Sequence, residues 1–308
     1  MTTITVDSHT IETSHDDKVF FPEAKLTKGD LVDYYRRIAD TMLPYISGRV
    51  ISMHRYPDGI GGFDFYEKQY PDYFPDFISA ADVPLKRGGR QKQVVVDSAA
   101  TLVYLAEKAC VTPHMWLCPH DDLEHPDLMV FDLDPSKDWR KAFGDVTRAA
   151  RAMRDLLEEL DLPAWLQTTG SRGLHVFVPL AGRDNFDTVR DFAHDVARVL
   201  VARDAERLTL EQRKDKRGDK IFVDYLRNSF GQTAVPPYAV RGREGAPVAT
   251  PIGWDELGGD MSPRKYTIET IFQRLSRKDD PWKGMMRHAR TLASRRETLD
   301  KRVEEEVG

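Results

Sequence analysis

The segment Met129-Val-Phe-Asp132-Leu-Asp134-Pro135 restricts this chain more than any other stretch of its sequence. Its apolar residues predict a buried strand, and successive side chains of a strand point to opposite faces. Asp132 and Asp134 therefore share one face, while Met129, Phe131 and Leu133 share the other. Two like charges side by side on a strand rising from an apolar core are unfavourable unless something neutralises them. Hard divalent cations do this with oxygen ligands, and carboxylates suit Mg2+ or Mn2+. Pro135 stops the strand and leaves the pair at its end, where a cleft can form. A second apolar run, Ile221-Phe-Val-Asp224-Tyr-Leu, carries a third carboxylate. Three carboxylates from two strands are what two metals about 3.5–4 Å apart require for in-line phosphoryl displacement. Taken alone, the Asp-x-Asp pair reads equally well as a solvated strand end, with Asp224 paired to Arg227.

The run Thr168-Thr-Gly170-Ser171-Arg172-Gly173-Leu174-His175 reads as a tight glycine turn entering another strand. Gly170 and Gly173 let backbone amides approach an anion closely. Ser171 adds a hydroxyl, Arg172 a planar cation and His175 an imidazole, a set that can grip a triphosphate. Without the acidic pair nearby, a plain hairpin with a packed His175 explains the turn as well. Arg227, Arg241 and Arg243 follow, and the arginine fork suits phosphate oxygens.

Helical periodicity predicts a helix from about Thr27, with Asp30 completing a capping box, and a second after Ser98. Further helices are expected over about 139–160 and 187–201, and a charged peripheral one over about 282–306. Strand-like runs fall at 94–96, 129–134, 174–179 and 221–226, so strands alternate with helices in a layered α/β or α+β arrangement. The expected organisation is one compact unit over 1–308, which can divide into two lobes. It would have an N-terminal lobe of about 1–120 and a catalytic lobe of about 121–285, with a boundary near 118–127.

With 45 basic against 50 acidic residues, the formal net charge of −5 does not advertise nucleic-acid binding, so any such function must rest on local patches. No apolar run approaches the roughly 18 residues that span a bilayer, and the N-terminus lacks the pattern of a secretory signal. Two cysteines make no disulfide framework and suit a reducing cytoplasm. Cys110, His114, Cys118, His120 and His125 match no common zinc spacing. The basic stretch Lys86-Arg-Gly-Gly-Arg90-Gln-Lys92 reads either as a hairpin tip touching a phosphate backbone or as a solvated turn. The run from Arg213 to Lys220 reads as a solvated loop.

Several stretches together resemble one family: DKVFFP (17–22), LTKGDLVDYY (26–35), FDFYEK (63–68), DLEHPDLMVFDLDP (122–135), TTGSRGLHVFVPL (168–180), VDYLRN (223–228) and TAVPPYAVRGREGAPVATPIGWDEL (233–257). They are similar to the polymerase domain of bacterial ligase D, of the archaeo-eukaryotic primase superfamily, over nearly the whole chain. The resemblance implies an α+β fold with a primase-like catalytic core of mainly antiparallel sheets flanked by helices. It implies that Asp132, Asp134 and Asp224 bind catalytic Mn2+ or Mg2+. Ser171, Arg172 and His175 would hold the nucleotide phosphates, with Arg227, Arg241 and His114 facing the active site. Lys18 and Lys28 would hold the 5′-phosphate of a downstream strand. Phe65 and Tyr66 would stack on the template with Lys68 behind them.

The implied activity is that of a DNA-dependent DNA/RNA polymerase filling gaps and extending broken ends, favouring ribonucleotides. Its implied substrates are gapped or broken DNA with a 5′-phosphate and NTPs or dNTPs. A Ku-type protein and a separate DNA ligase are the implied partners, in a cytoplasmic, nucleoid-associated setting. Two departures stand out. His15-Asp16 replaces the Asn-Pro that commonly precedes Asp-Lys, and Ser136 stands where glycine often follows Asp-Pro. The sequence ends at Gly308 without a ligase or phosphoesterase segment, as either a stand-alone polymerase or an excised domain would. The rival readings are a metal-dependent nuclease or phosphoesterase, which gives Ser171, Arg172 and His175 no task, and a non-catalytic module that bridges DNA ends.

Overall fold

Helix capping and strand pleating decide most of the secondary structure. The computed structural model describes residues 2–85, 87–136 and 138–308. The chain divides into two compact units. The first comprises Met1–Leu123, Thr233–Ala249 and Tyr266–Ser276, and the second Glu124–Gln232, Thr250–Lys265 and Arg277–Gly308.

In the first unit, the hairpin β1 (Thr2–Val6) and β2 (His9–Thr13) precedes a short pair, β3 (Val19–Phe21) and β4 (Leu26–Thr27). Helix α1 (Lys28–Ile46) starts at the expected capping box: Asp30 N–H donates to Thr27 Oγ1 at 3.2 Å, and Thr27 N–H to the Asp30 carboxylate at 2.7 Å. A five-stranded antiparallel sheet follows. It consists of β5 (Arg49–Arg55), β6 (Phe65–Glu67), β7 (Ala80–Pro84), β8 (Arg90–Val96) and, beyond α2 (Ala99–Glu107), β9 (Cys110–Met115). Ser98 caps α2 through Thr101 N–H at 3.2 Å, and every residue of that helix is buried. Tyr34 and Tyr35 of α1 lie in the core and spend their hydroxyls on the carbonyls of Tyr238 and Val111, both at 2.7 Å. Cys110 and Cys118 are fully buried.

The second unit is built on a six-stranded sheet. Its members are β10 (Leu128–Pro135), β11 (Trp165–Thr168), β12 (Leu174–Pro179), β13 (Leu208–Thr209), β14 (Ile221–Asp224) and β15 (Thr250–Ile252), in the order β13-β14-β10-β12-β11-β15. All pairs are antiparallel except β13 with β14. Helices α3 (Trp139–Glu159) and α4 (Phe186–Arg203) pack on this sheet. After β15 a one-turn helix, α5 (Ile271–Leu275), belongs to the first unit, and α6 (Ala293–Glu306) closes the chain against α4. Mixed helices and mainly antiparallel sheets make this the α+β architecture expected above. Among the described residues, no helix is long and apolar enough to cross a membrane.

The expected C-terminal helix from Trp282 begins instead at Ala293. Trp282 is a core residue, 1% exposed, whose indole N–H donates to Leu166 O at 3.0 Å and whose ring meets Phe177 edge-on at 5.0 Å. Gly284, at φ +81°, then turns the backbone out of any helix before a 3-10 turn over Met285–His288. The expected strand 221–226 stops at Asp224, because Leu226–Asn228 folds into a 3-10 turn.

Candidate active site

Register brings the carboxylates together. Strand β10 lies between β14 and β12, with Asp132 paired directly to Asp224 on one side and to His175 on the other. Asp134 lies two residues on, on the same face, and its partner in β14 is Phe222. The opposite face carries Met129, Phe131, Leu133, Val176 and Val178, all at 0% exposure, so the strand cannot rotate or slip without burying charge. The three carboxylates are mostly buried, with side-chain exposures of 18%, 22% and 13% for Asp132, Asp134 and Asp224.

Burial first, and then repulsion from Asp132, pushes the carboxyl pKa of both Asp134 and Asp224 above the usual value, against opposing pulls from Arg172 and Arg227 respectively. The cations around them are specific. Arg172 donates to Asp134 at 2.7 Å, and Arg217 stands 3.8 Å from the same oxygen. Arg227 reaches Asp224 at 3.3 Å and Asp132 at 3.9 Å. His175 Nε2 is 3.5 Å from Asp132, while its buried Nδ1 has no hydrogen-bond partner among the described residues.

The donor set is all oxygen, and two of its three members are destabilised as anions, which fits a hard divalent cation. In the arrangement described, arginines engage these carboxylates. Among the described residues, no group of three or more His, Cys, Asp or Glu side chains is drawn together as a ready metal cage. A cation would have to displace the Arg172 and Arg227 contacts.

The glycine turn after β11 is wound around one hydroxyl. Thr169 Oγ1 accepts from Ser171 N–H and Gly173 N–H, each at 3.2 Å, and donates to Gly173 O at 3.0 Å. Gly170 sits at φ +63°. A Cβ on Gly173 would lie 2.0 Å from Leu133 O, so only glycine lets the turn press onto β10 and deliver Arg172 to Asp134.

Sequence reading placed Arg217 in a solvated loop; the structure corrects this. Arg217 is 5% exposed, its guanidinium lies 3.9 Å over the Phe222 ring, and it donates to the carbonyls of Glu211 (2.7 Å) and Gln212 (2.6 Å). Nothing in a run of alternating charges signals that one of them is buried. Arg264 also escaped notice; its Nε holds Ser171 O at 2.7 Å.

The remaining candidates lie in the first unit. Lys18 and Lys28 are neighbours, because Lys28 N–H donates to Lys18 O at 2.8 Å. Their ammonium groups are already engaged. Lys18 bonds Asp58 at 2.6 Å and Pro57 O at 2.8 Å, while Lys28 forms a buried ion pair with Glu107 at 2.8 Å and bonds Ser14 O at 2.7 Å. Exposed His15, at φ +53°, lies in the same turn.

Tyr66 is 54% exposed and stacks on His54 at 4.1 Å between centroids, with the His114 ring edge-on at 5.3 Å. Arg55 lies 5.5 Å over Phe65, and Lys68 is exposed. Arg241 is half-buried, and its charge acts on His54, where burial is the larger cause of a lowered pKa. Arg87–Lys92 lies at the β7–β8 hairpin; Lys86 lies outside the described residues.

Comparison with known proteins identifies the family. Residues 27–282 match the family model of the LigD primase-polymerase domain. The chain is 34% identical over 276 residues to the multifunctional non-homologous end joining protein LigD of Pseudomonas aeruginosa, covering 88% of this chain and 32% of that protein. It is 28% identical over 269 residues to the bifunctional non-homologous end joining protein LigD of Bacillus subtilis, covering 86% and 42%. The chain thus spans about a third to two-fifths of the curated relatives it matches. Among solved structures, the polymerase domain from Mycobacterium tuberculosis ligase D in complex with DNA superposes with a TM-score of 0.82 at 30% identity, covering 91% of this chain and 99% of that one. The chain belongs to the LigD primase-polymerase domain family, and is a nucleotidyltransferase of the primase-polymerase type.

Proposed function

We propose that this chain extends the 3′ ends of DNA at gaps and breaks during non-homologous end joining, using Asp132, Asp134 and Asp224 as metal ligands and favouring ribonucleotides. The observation that carries the reading is the direct pairing of Asp132 with Asp224, with Asp134 on the same face and Arg172, His175 and Arg227 around them. Asp132, Asp134 and Asp224 would hold Mn2+ or Mg2+, whose chemistry there would be to activate the attacking 3′-hydroxyl and neutralise charge on the triphosphate.

The chain's own residues do the rest. Arg172, the Ser171 hydroxyl and the loop amides grip phosphate oxygens, and electrostatic placement is the main demand of phosphoryl transfer. The Nδ1 of His175, which has no hydrogen-bond partner among the described residues, would be the atom that meets a phosphate oxygen. Arg227 moves from carboxylate to phosphate when nucleotide arrives, a transfer that its 42% exposed side chain permits. Arg241 serves nucleotide binding, His114 acts near the primer end, and Phe65, Tyr66 and Lys68 serve the template. Lys18 and Lys28 receive the downstream 5′-phosphate. A Ku-type protein and a separate ligase are the partners that such a polymerase works with in the cytoplasm.

Primer extension on a gapped, 5′-phosphorylated duplex tests the reading, comparing ribo- with deoxyribonucleotides in Mn2+ and Mg2+. Templated addition with ribonucleotides preferred is expected. Nucleotide release without added triphosphates, or DNA binding without synthesis, would contradict it.

A further inference from the structure

The turn that carries Ser171 and Arg172 is held from two sides. From within, Thr169 Oγ1 gathers Ser171 N–H, Gly173 N–H and Gly173 O. A second hold comes from a residue more than ninety positions later: Arg264 Nε donates to Ser171 O at 2.7 Å. Arg264 is itself braced. Its guanidinium carbon lies 5.2 Å from the ring centre of Trp139, the first residue of α3, which also carries Arg140 at 4.9 Å. Stacking of this kind costs an arginine less freedom than it would cost a lysine, because the guanidinium is planar and already oriented.

The contact sits on one peptide unit, and that unit has a second end. In a planar trans peptide, the Ser171 carbonyl and the Arg172 N–H point in opposite directions. Fixing the carbonyl therefore aims the N–H. Among the described residues, the Arg172 N–H meets no backbone acceptor. A cationic donor on the carbonyl also polarises the peptide and strengthens its N–H as a donor. The same unit leads directly into the side chain that reaches Asp134 at 2.7 Å.

We propose that Arg264 is a positioning residue for the nucleotide: by holding Ser171 O it turns the Arg172 N–H toward a triphosphate oxygen and fixes the backbone from which the Arg172 side chain extends. The proposal rests on the reading of the Ser171–Arg172 turn as the triphosphate grip. Trp139 acts one step further back, by holding the Arg264 guanidinium in place.

The test titrates ATP with Mn2+ into the full chain by calorimetry, alongside melting curves and steady-state extension of a primed template. Arg264→Met should weaken ATP binding about tenfold, as expected for one lost charge-assisted hydrogen bond. It should raise KM with kcat and melting temperature little changed. Arg264→Lys, which keeps a cationic donor, should recover most of the affinity. Trp139→Leu should weaken binding in the same direction yet add little to Arg264→Met, since both act through one contact. Arg172→Ala reports on the underlying reading. If it binds ATP poorly while Arg264→Met binds like the parent, the turn grips nucleotide without Arg264 and the proposal falls. If Arg172→Ala also binds like the parent, the reading of the turn itself falls. Loss of affinity matched by loss of melting temperature, with no rescue by lysine, would make Arg264 a structural residue only.

Discussion

Asp132 and Asp224 are direct register partners across adjacent antiparallel strands. Side chains so paired stand about 4.5–5.5 Å apart at Cβ, and like charges placed there destabilise a sheet. Under the function proposed above, the same pairing would place two of the three metal-binding carboxylates side by side on one face.

The repulsion has a pH signature. Burial and Asp132 raise the pKa of Asp134 and Asp224 above the ordinary 3.8. The folded state then binds protons more readily than the unfolded state, so stability from these groups falls as pH rises through the raised values. Neutral replacement removes that penalty. In EDTA, Asp134→Asn and Asp224→Asn should melt higher than the parent at about pH 7, with the gain fading toward about pH 4. Added Mn2+ should raise the parent's melting temperature and leave both variants largely unmoved. A gain that is constant across pH would contradict the raised carboxyl pKa values of Asp134 and Asp224.

The two lysines near the head of α1 should separate in experiment. Lys28 and Glu107 have side-chain exposures of 8% and 3%, so Lys28→Ala leaves a buried carboxylate unpaired and should cost about 3–5 kcal/mol. Lys18 is 38% exposed, and its pair with Asp58 should contribute under about 1 kcal/mol. The binding advantage of a 5′-phosphorylated gap should therefore follow Lys18 more closely than Lys28. Binding of phosphorylated and unphosphorylated gapped duplexes by each variant, with urea melts, checks both statements. Equal stability loss in the two variants would overturn the distinction.

Gly173 should tolerate no side chain. An added Cβ would stand 2.0 Å from Leu133 O, a backbone atom that cannot move without shifting Asp132 and Asp134. Gly173→Ala should lower stability and remove most nucleotide incorporation, whereas Gly182→Ala, with nothing within 4 Å of the added carbon but a φ of +63°, should cost stability alone. Comparable incorporation by the two variants would contradict this account of the turn.

What the sequence disclosed was local. The strand alternation around Asp132, the capping box at Thr27 and the glycine turn each depend on residues a few positions apart, and each is found in the structure. What it concealed was tertiary. Arg217 is buried by Phe222 and two carbonyls, Lys28 by a glutamate seventy-nine positions away, and Trp282 by Leu166 and Phe177. No spacing rule marks one basic residue of a charged run as the buried one. The return of Thr233–Ala249 and Tyr266–Ser276 to the first unit is equally silent, since such partners as Met115 for Ala234 and Tyr34 for Phe272 lie more than a hundred residues earlier.

The central claim is that Asp132 and Asp224 carry the chemistry and not the DNA contact. It is tested most directly by primer extension with Asp132→Asn and Asp224→Asn in Mn2+, with duplex affinity measured on the same preparations. Extension should be abolished in both, while the dissociation constant for the primed duplex stays within a few-fold of the parent's. Extension by either variant at a rate close to the parent's would contradict the assignment of these carboxylates as the metal-binding centre.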